Sequence, residues 1–93
     1  MATSKSVEVL RALADDIRLA IVQKIAKEGG VVSSCDIVAA CQNLSSLSQP
    51  TLSHHFAKLV DAGVILQHKR GTQNQYELNT KELTRFGIVI AKL

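Results

Sequence analysis

Side chains suited to recognition chemistry gather in two places. Between Ser48 and Ala62 stand Gln49, Thr51, Ser53, His54 and Lys58. These are short hydrogen-bonding groups and one long cation. Glutamine can pair with adenine through two hydrogen bonds, and Ser, Thr and His can donate to base or phosphate acceptors. Further on, Lys69, Arg70 and Gln73 surround Gly71 without an acid among them, a composition suited to a phosphate or a minor groove. Composition alone also fits a plainer reading, a solvated polar face. What favours an anionic partner is that the first acid after Ser48 is Asp61. No carboxylate pair, nucleophile motif or Gly-rich phosphate loop is present, so no catalytic residue, no cofactor and no enzyme are expected.

The elements that must position these groups follow from hydrophobic spacing. Val7, Leu10, Leu13 and Ala14 recur at helical intervals, and Asp15 or Asp16 can cap a second helix built on Ile17, Ile21 and Ile25. Arg18 opens that helix beside both aspartates, which predicts an ion pair in the cap region. Gly29 and Gly30 end it, and Val31 and Val32 read as extended. Ser33 or Ser34 can cap a third helix with Ile37, Ala40, Cys41 and Leu44 inward, and Gln42–Leu47 reads as a polar turn. Ser48 and Pro50 suit the start of a fourth helix, with Leu52, Phe56 and Leu59 inward and Gly63 at its end. His55 is expected at the boundary of that helix, packed against a β-hairpin.

That hairpin is marked by a shorter period. Val64–Lys69 and Gln75–Asn79 read as strands joined by a tip at Arg70–Asn74. A last helix is expected over Lys81–Leu93, apolar nearly all round between Phe86 and Ala91. The fold class is therefore mainly α with a β-hairpin wing, in the order α-α-α-α-β-β-α: a winged helix-turn-helix spanning 1–93 as one domain.

The 93-residue length predicts one small domain, with no room for a second of ordinary size. Hydrophobic residues make up 46% and net charge is +3, which excludes a disordered tail. The three aromatics, Phe56, Tyr76 and Phe86, are too few for a base-stacking surface on single strands. No apolar run approaches the ~20 residues that span a bilayer. Met1–Ser6 is short and polar, so no signal peptide and no membrane partner are expected. A cytoplasmic protein with free thiols is the expectation.

Three blocks together resemble the ArsR/SmtB family of bacterial winged-helix repressors. Ser48-Gln49-Pro50-Thr51-Leu52-Ser53-His54-His55-Phe56-Ala57-Lys58-Leu59, with Ala62-Gly63-Val64-Ile65, is similar to the family's S-Q-x-x-[VL]-S-x-H-L-x-x-L and A-G-L-[VI]. Phe56 replaces the usual leucine. Leu10–Val22 looks like the family's opening block, and Lys69-Arg70-Gly71 with Tyr76-Glu77-Leu78 like its wing. The resemblance covers residues 7 to about 88. One departure is local: Asn43–Leu47 adds residues where the family's turn is tight, so either the third helix is longer or the turn bulges.

The resemblance implies a homodimeric repressor that reads a palindromic operator in double-stranded DNA. Family members use the positions matching Gln49, Ser53 and His54, and they dimerise through their first and last helices. Val7, Leu10, Phe86, Val89 and Ile90 are the expected interface here. Many relatives sense metals or arsenic through Cys-x-Cys-x-x-Cys on the third helix. Only Cys35 matches that pattern, and Cys41 lies ~240° further round a helix, so no metal site is expected. Cys35, near a helix start, is the candidate redox thiol. The small-molecule effector is unknown. The alternatives are a redox- or ligand-gated sensor of the same fold, or a winged-helix module for protein–protein contact.

Overall fold

The structure is a computed structural model that describes residues 4–93; Met1–Thr3, the start of the expected 1–93 domain, lie outside the described residues. Ser4 caps α1 (Lys5–Leu13), accepting the Val7 N–H at 3.4 Å. Asp15 caps α2 (Asp16–Glu28) by accepting the N–H groups of Ile17 and Arg18 at 2.9 and 3.0 Å. A two-residue strand, β1 (Val32–Ser33), leads into α3 (Ser34–Ala40), and Ser33 accepts the Asp36 N–H.

The chain breaks at Cys41, whose extended backbone separates α3 from the single turn α4 (Gln42–Ser45). The expected continuous inner face is thereby divided. Ile37 and Leu44 are buried, whereas Ala40 is exposed and Cys41 half-buried. The segment Gln42–Leu47, expected as a polar turn, is a helical turn anchored by Leu44.

Helix α5 (Gln49–Asp61) follows, then the hairpin β2 (Ile65–Arg70) and β3 (Gln73–Leu78). The sheet order is β1-β3-β2, all antiparallel. Arg70 faces Gln73 in register, so the hairpin tip is only Gly71-Thr72, tighter than the expected Arg70–Asn74. Gly71 supplies the positive φ of +63° that so short a turn requires.

The core is aliphatic, with Ile21, Ile25, Ile37, Leu44, Leu59 and Ile65 at its centre. Phe56 stacks on Tyr76, with ring centroids 4.5 Å apart, and so fastens α5 to β3. No polar or charged side chain is buried among the described residues. No helix among them is long and apolar enough to cross a membrane.

The C-terminal segment corrects the expectation of one helix over Lys81–Leu93. Helix α6 (Thr80–Arg85) stops, and a 3₁₀ turn occupies Ile90–Lys92. Gly87, at φ +69°, ends α6 with paired bonds, from Ile88 N–H to Leu83 C=O at 2.9 Å and from Gly87 N–H to Thr84 C=O at 3.0 Å. The redirected chain carries Ile90 into the core against α2, leaving it 5% exposed. Ile90 thus presents no face to a second chain, contrary to its expected interface role. Phe86 is half-buried, and Val89 is 53% exposed. In α1 the inward residues are Val9, Ala12 and Leu13, while Val7 and Leu10 remain exposed.

Candidate nucleic-acid interface

The start of α5 is built to stay open to an anion. Ser48 accepts the Thr51 N–H at 3.3 Å and donates its own hydroxyl to Thr51 Oγ1 at 2.9 Å. Pro50 occupies the first turn, where its missing N–H leaves nothing unpaired, and no acid lies in that turn. The helix N-terminus therefore presents its partial positive charge without a local counter-charge. Leu52, Phe56 and Leu59 bury the inner face, as expected, and Gln49, Thr51, Ser53, His54 and Lys58 are all exposed.

Those five side chains do not share one surface. A cleft of about 450 Å³ runs between α5, α3 and the hairpin; Gln49 and Ser53 line its α5 side, Gln67 and Asn74 its sheet side. A second groove, of about 520 Å³, separates α5 from α1, and here His54, Lys58 and Asp61 meet Glu8, Arg11 and Arg18. The wing edge and the α1 edge of the helix thus have different chemistry.

Arg18 sets the position of α5. Its Nε donates to the Ala12 carbonyl at 2.7 Å and its Nη2 to the Arg11 carbonyl at 3.3 Å. Its Nη1 lies 3.8 Å from the Asp15 carboxylate and 3.4 Å from His55 Nδ1. This contact sets the His55 ring beside the Arg18 guanidinium. His55 consequently faces Arg18, not the hairpin as expected, with the His54 ring edge-on at 6.2 Å. The cap-region ion pair expected of Arg18 is present. The Arg18 backbone N–H holds the Asp15 carboxyl below its ordinary pKa, aided by the Arg18 charge and the Ile17 N–H and opposed by burial.

On the wing, Lys69, Arg70 and Gln73 are exposed around the two-residue turn. Neither Lys69 nor Arg70 is ion-paired among the described residues. His68 is different: its Nε2 lies 2.8 Å from Glu77 Oε1, so the strand beyond the tip does bring an acid to the wing. Arg11 went unnoticed in the sequence. It is exposed on the charged groove beside Lys58, but a cation in a helix's last turn reads as an ordinary complement to the helix dipole.

Cys35 is exposed in the first turn of α3 and lines the uncharged cleft. Cys41 is half-buried, its thiol 4.0 Å from the Ala20 carbonyl. No group of three His, Cys, Asp or Glu that could hold a metal occurs among the described residues.

A family model described as "Bacterial regulatory protein, arsR family" matches residues 15–66, from the cap of α2 into β2. An arsenical resistance operon repressor from Staphylococcus xylosus is 37% identical over 71 residues, which cover 76% of this chain and 62% of that protein. The chain thus spans less than two-thirds of that relative. An HTH-type transcriptional regulator from Methanocaldococcus jannaschii is 36% identical over 72 residues, covering 77% of this chain and 75% of that one. Among solved structures, HlyU from Vibrio cholerae superposes with a TM-score of 0.71 at 27% identity, over 87% of this chain and 82% of that chain. A homodimeric winged helix-turn-helix DNA-binding domain from Mycobacterium bovis has the same fold, with a TM-score of 0.71 at 23% identity, over 95% of this chain and 73% of that chain.

Proposed function

The chain belongs to the arsR family of bacterial regulatory proteins, and we propose that it represses transcription in the cytoplasm as a homodimer, reading a palindromic operator with α5 and the wing. It is a regulatory-family protein, not an enzyme. The observation that carries the reading is the acid-free outer face of the first two turns of α5, beside the wing cations Lys69 and Arg70, which have no ion pair among the described residues. A B-DNA major groove admits one helix, so α5 supplies Gln49, Ser53 and His54 to base edges. Thr51 and Lys58 hold phosphates, and Lys69, Arg70 and Gln73 meet the neighbouring backbone or minor groove.

One winged helix covers one half-site. Val7, Leu10 and Val89 are exposed, and an apolar groove of about 580 Å³ lies between α1 and the C-terminal segment, lined by Leu10, Leu19, Ile88, Val89 and Leu93. A second copy seated there removes that apolar surface from water, with Phe86 contributing its exposed edge. The Mycobacterium bovis domain of the same fold is itself homodimeric. Half-sites are then spaced by about 10 bp or a multiple of it.

Selection of bound duplexes from a random pool tests the reading, with a palindrome as the expected product. In gel-shift titrations of the selected duplex, the double variant Ser53→Ala, His54→Ala abolishes specific binding and keeps the thermal melt. Unchanged affinity in that variant removes α5 from the recognition role.

A further inference from the structure

The cleft between α5 and the wing differs from every other part of the proposed DNA face in having no charged side chain on its walls. Its floor is the Phe56–Tyr76 stack, flanked by Leu52 and Val38. Its rim carries neutral hydrogen-bonding groups, Ser34, Gln67 and the two α5 residues Gln49 and Ser53. Burial raises the Tyr76 phenol above its ordinary pKa, so this hydroxyl too is neutral at physiological pH. Asn74 adds a neutral amide on the sheet side.

We infer that this cleft binds a small, neutral, amphipathic molecule and that its occupancy opposes DNA binding. About 450 Å³ lies within the range of small-molecule sites, and the apolar floor takes a flat apolar body. With no charged side chain on its walls, the cleft offers a neutral ligand more than it offers an ion. The coupling follows from shared residues: a ligand lying against Gln49 and Ser53 occupies groups that α5 needs for bases. This second half rests on the DNA-binding reading; the first does not.

N-phenyl-1-naphthylamine, a neutral fluorophore with an N–H, is the probe. Titrated into the DNA-free full chain, it gives a saturable rise in fluorescence. Ala39→Trp, which fills the cleft from α3, weakens uptake about tenfold or more by steric exclusion. Ala39→Ser, which alters the same position without filling the cleft, leaves uptake unchanged. Thermal melts report whether each variant is folded, and unchanged uptake in folded Ala39→Trp, or loss of uptake in folded Ala39→Ser, overturns the site. With the selected duplex, saturating probe weakens wild-type DNA affinity about tenfold and leaves Ala39→Trp unaffected. Uptake with no change in DNA affinity overturns the coupling. Uptake by a chain that binds no duplex overturns the DNA-binding reading and the coupling with it, and leaves the cleft standing.

Discussion

The two flanks of α5 are built from the same helix and of similar size, yet they differ in kind. The α1 flank gathers Arg11, Arg18, His54 and Lys58 around Glu8 and Asp61. The wing flank has only neutral groups above an aromatic floor. Charge acts over the Debye length and does not discriminate bases, whereas neutral donors act only in contact and do. On the proposed reading the helix divides its work lengthwise: the α1 edge supplies mainly sequence-independent attraction, with His54 its one base-reading group, and the wing edge supplies sequence-dependent contact.

Three sets of substitutions can break or sharpen that division. The largest effect is expected from Arg18→Ala, which strips the charged flank of its scaffold, removes the side-chain donors to the Ala12 and Arg11 carbonyls and takes the cationic partner from Asp15. Urea unfolding should show a loss of about 2–3 kcal/mol, against less than about 0.5 kcal/mol for Gln67→Ala across the helix. Equal losses would mean that the flanks do not differ mechanically.

Next is Gln49→Ala, which should cost about 1–3 kcal/mol of discrimination between the selected duplex and a scrambled one. Lys58→Ala and Arg11→Ala should instead weaken both duplexes alike, each lowering the slope of log affinity against log salt by about 1. Discrimination lost in Lys58→Ala, or a salt slope changed in Gln49→Ala, would reverse the assignment of the edges.

The smallest effect concerns Asp15. Its folded-state pKa is depressed, so the unfolded chain binds its proton more readily. Its contribution is therefore present above the unfolded pKa and fades as pH falls through the folded one. Asp15→Asn keeps an N-cap and loses this dependence, so thermal melts from neutral pH down into the carboxylate range should flatten in the variant.

Helix α5 was legible because local signals agree: the Ser48 cap, Pro50, four-residue apolar spacing and Gly63. The tertiary partners were not. His55 meets Arg18 across 37 positions, and nothing in either neighbourhood marks the pairing. In α1 both Val7-Leu10 and Val9-Leu13 fit a helical stripe, and only packing decides which turns inward. The last helix failed for a readable reason. Gly87 sits inside an apolar run, where hydrophobicity outweighed the stop signal. The break at Cys41 had no comparable signal, since Leu44 is drawn inward only by elements already assembled. Of the recognition set, the residue types and their helix were visible beforehand, and the division into two flanks was not.

Strand β1 carries a kinetic consequence. It pairs with β3 through Val32–Tyr76 and Ser33–Gln75 alone, positions distant in sequence, whereas β2 and β3 share a six-pair ladder closed by a two-residue turn. The hairpin closes a short loop and should zip early; β1 must close a long one for little gain and should join late. The order reverses on opening, so amide hydrogens of Val32 and Ser33 should exchange faster than that of Tyr76. Because β1 leads directly into α3, the wall bearing Ser34 and Cys35 can part from the sheet at a fraction of the free energy of global unfolding.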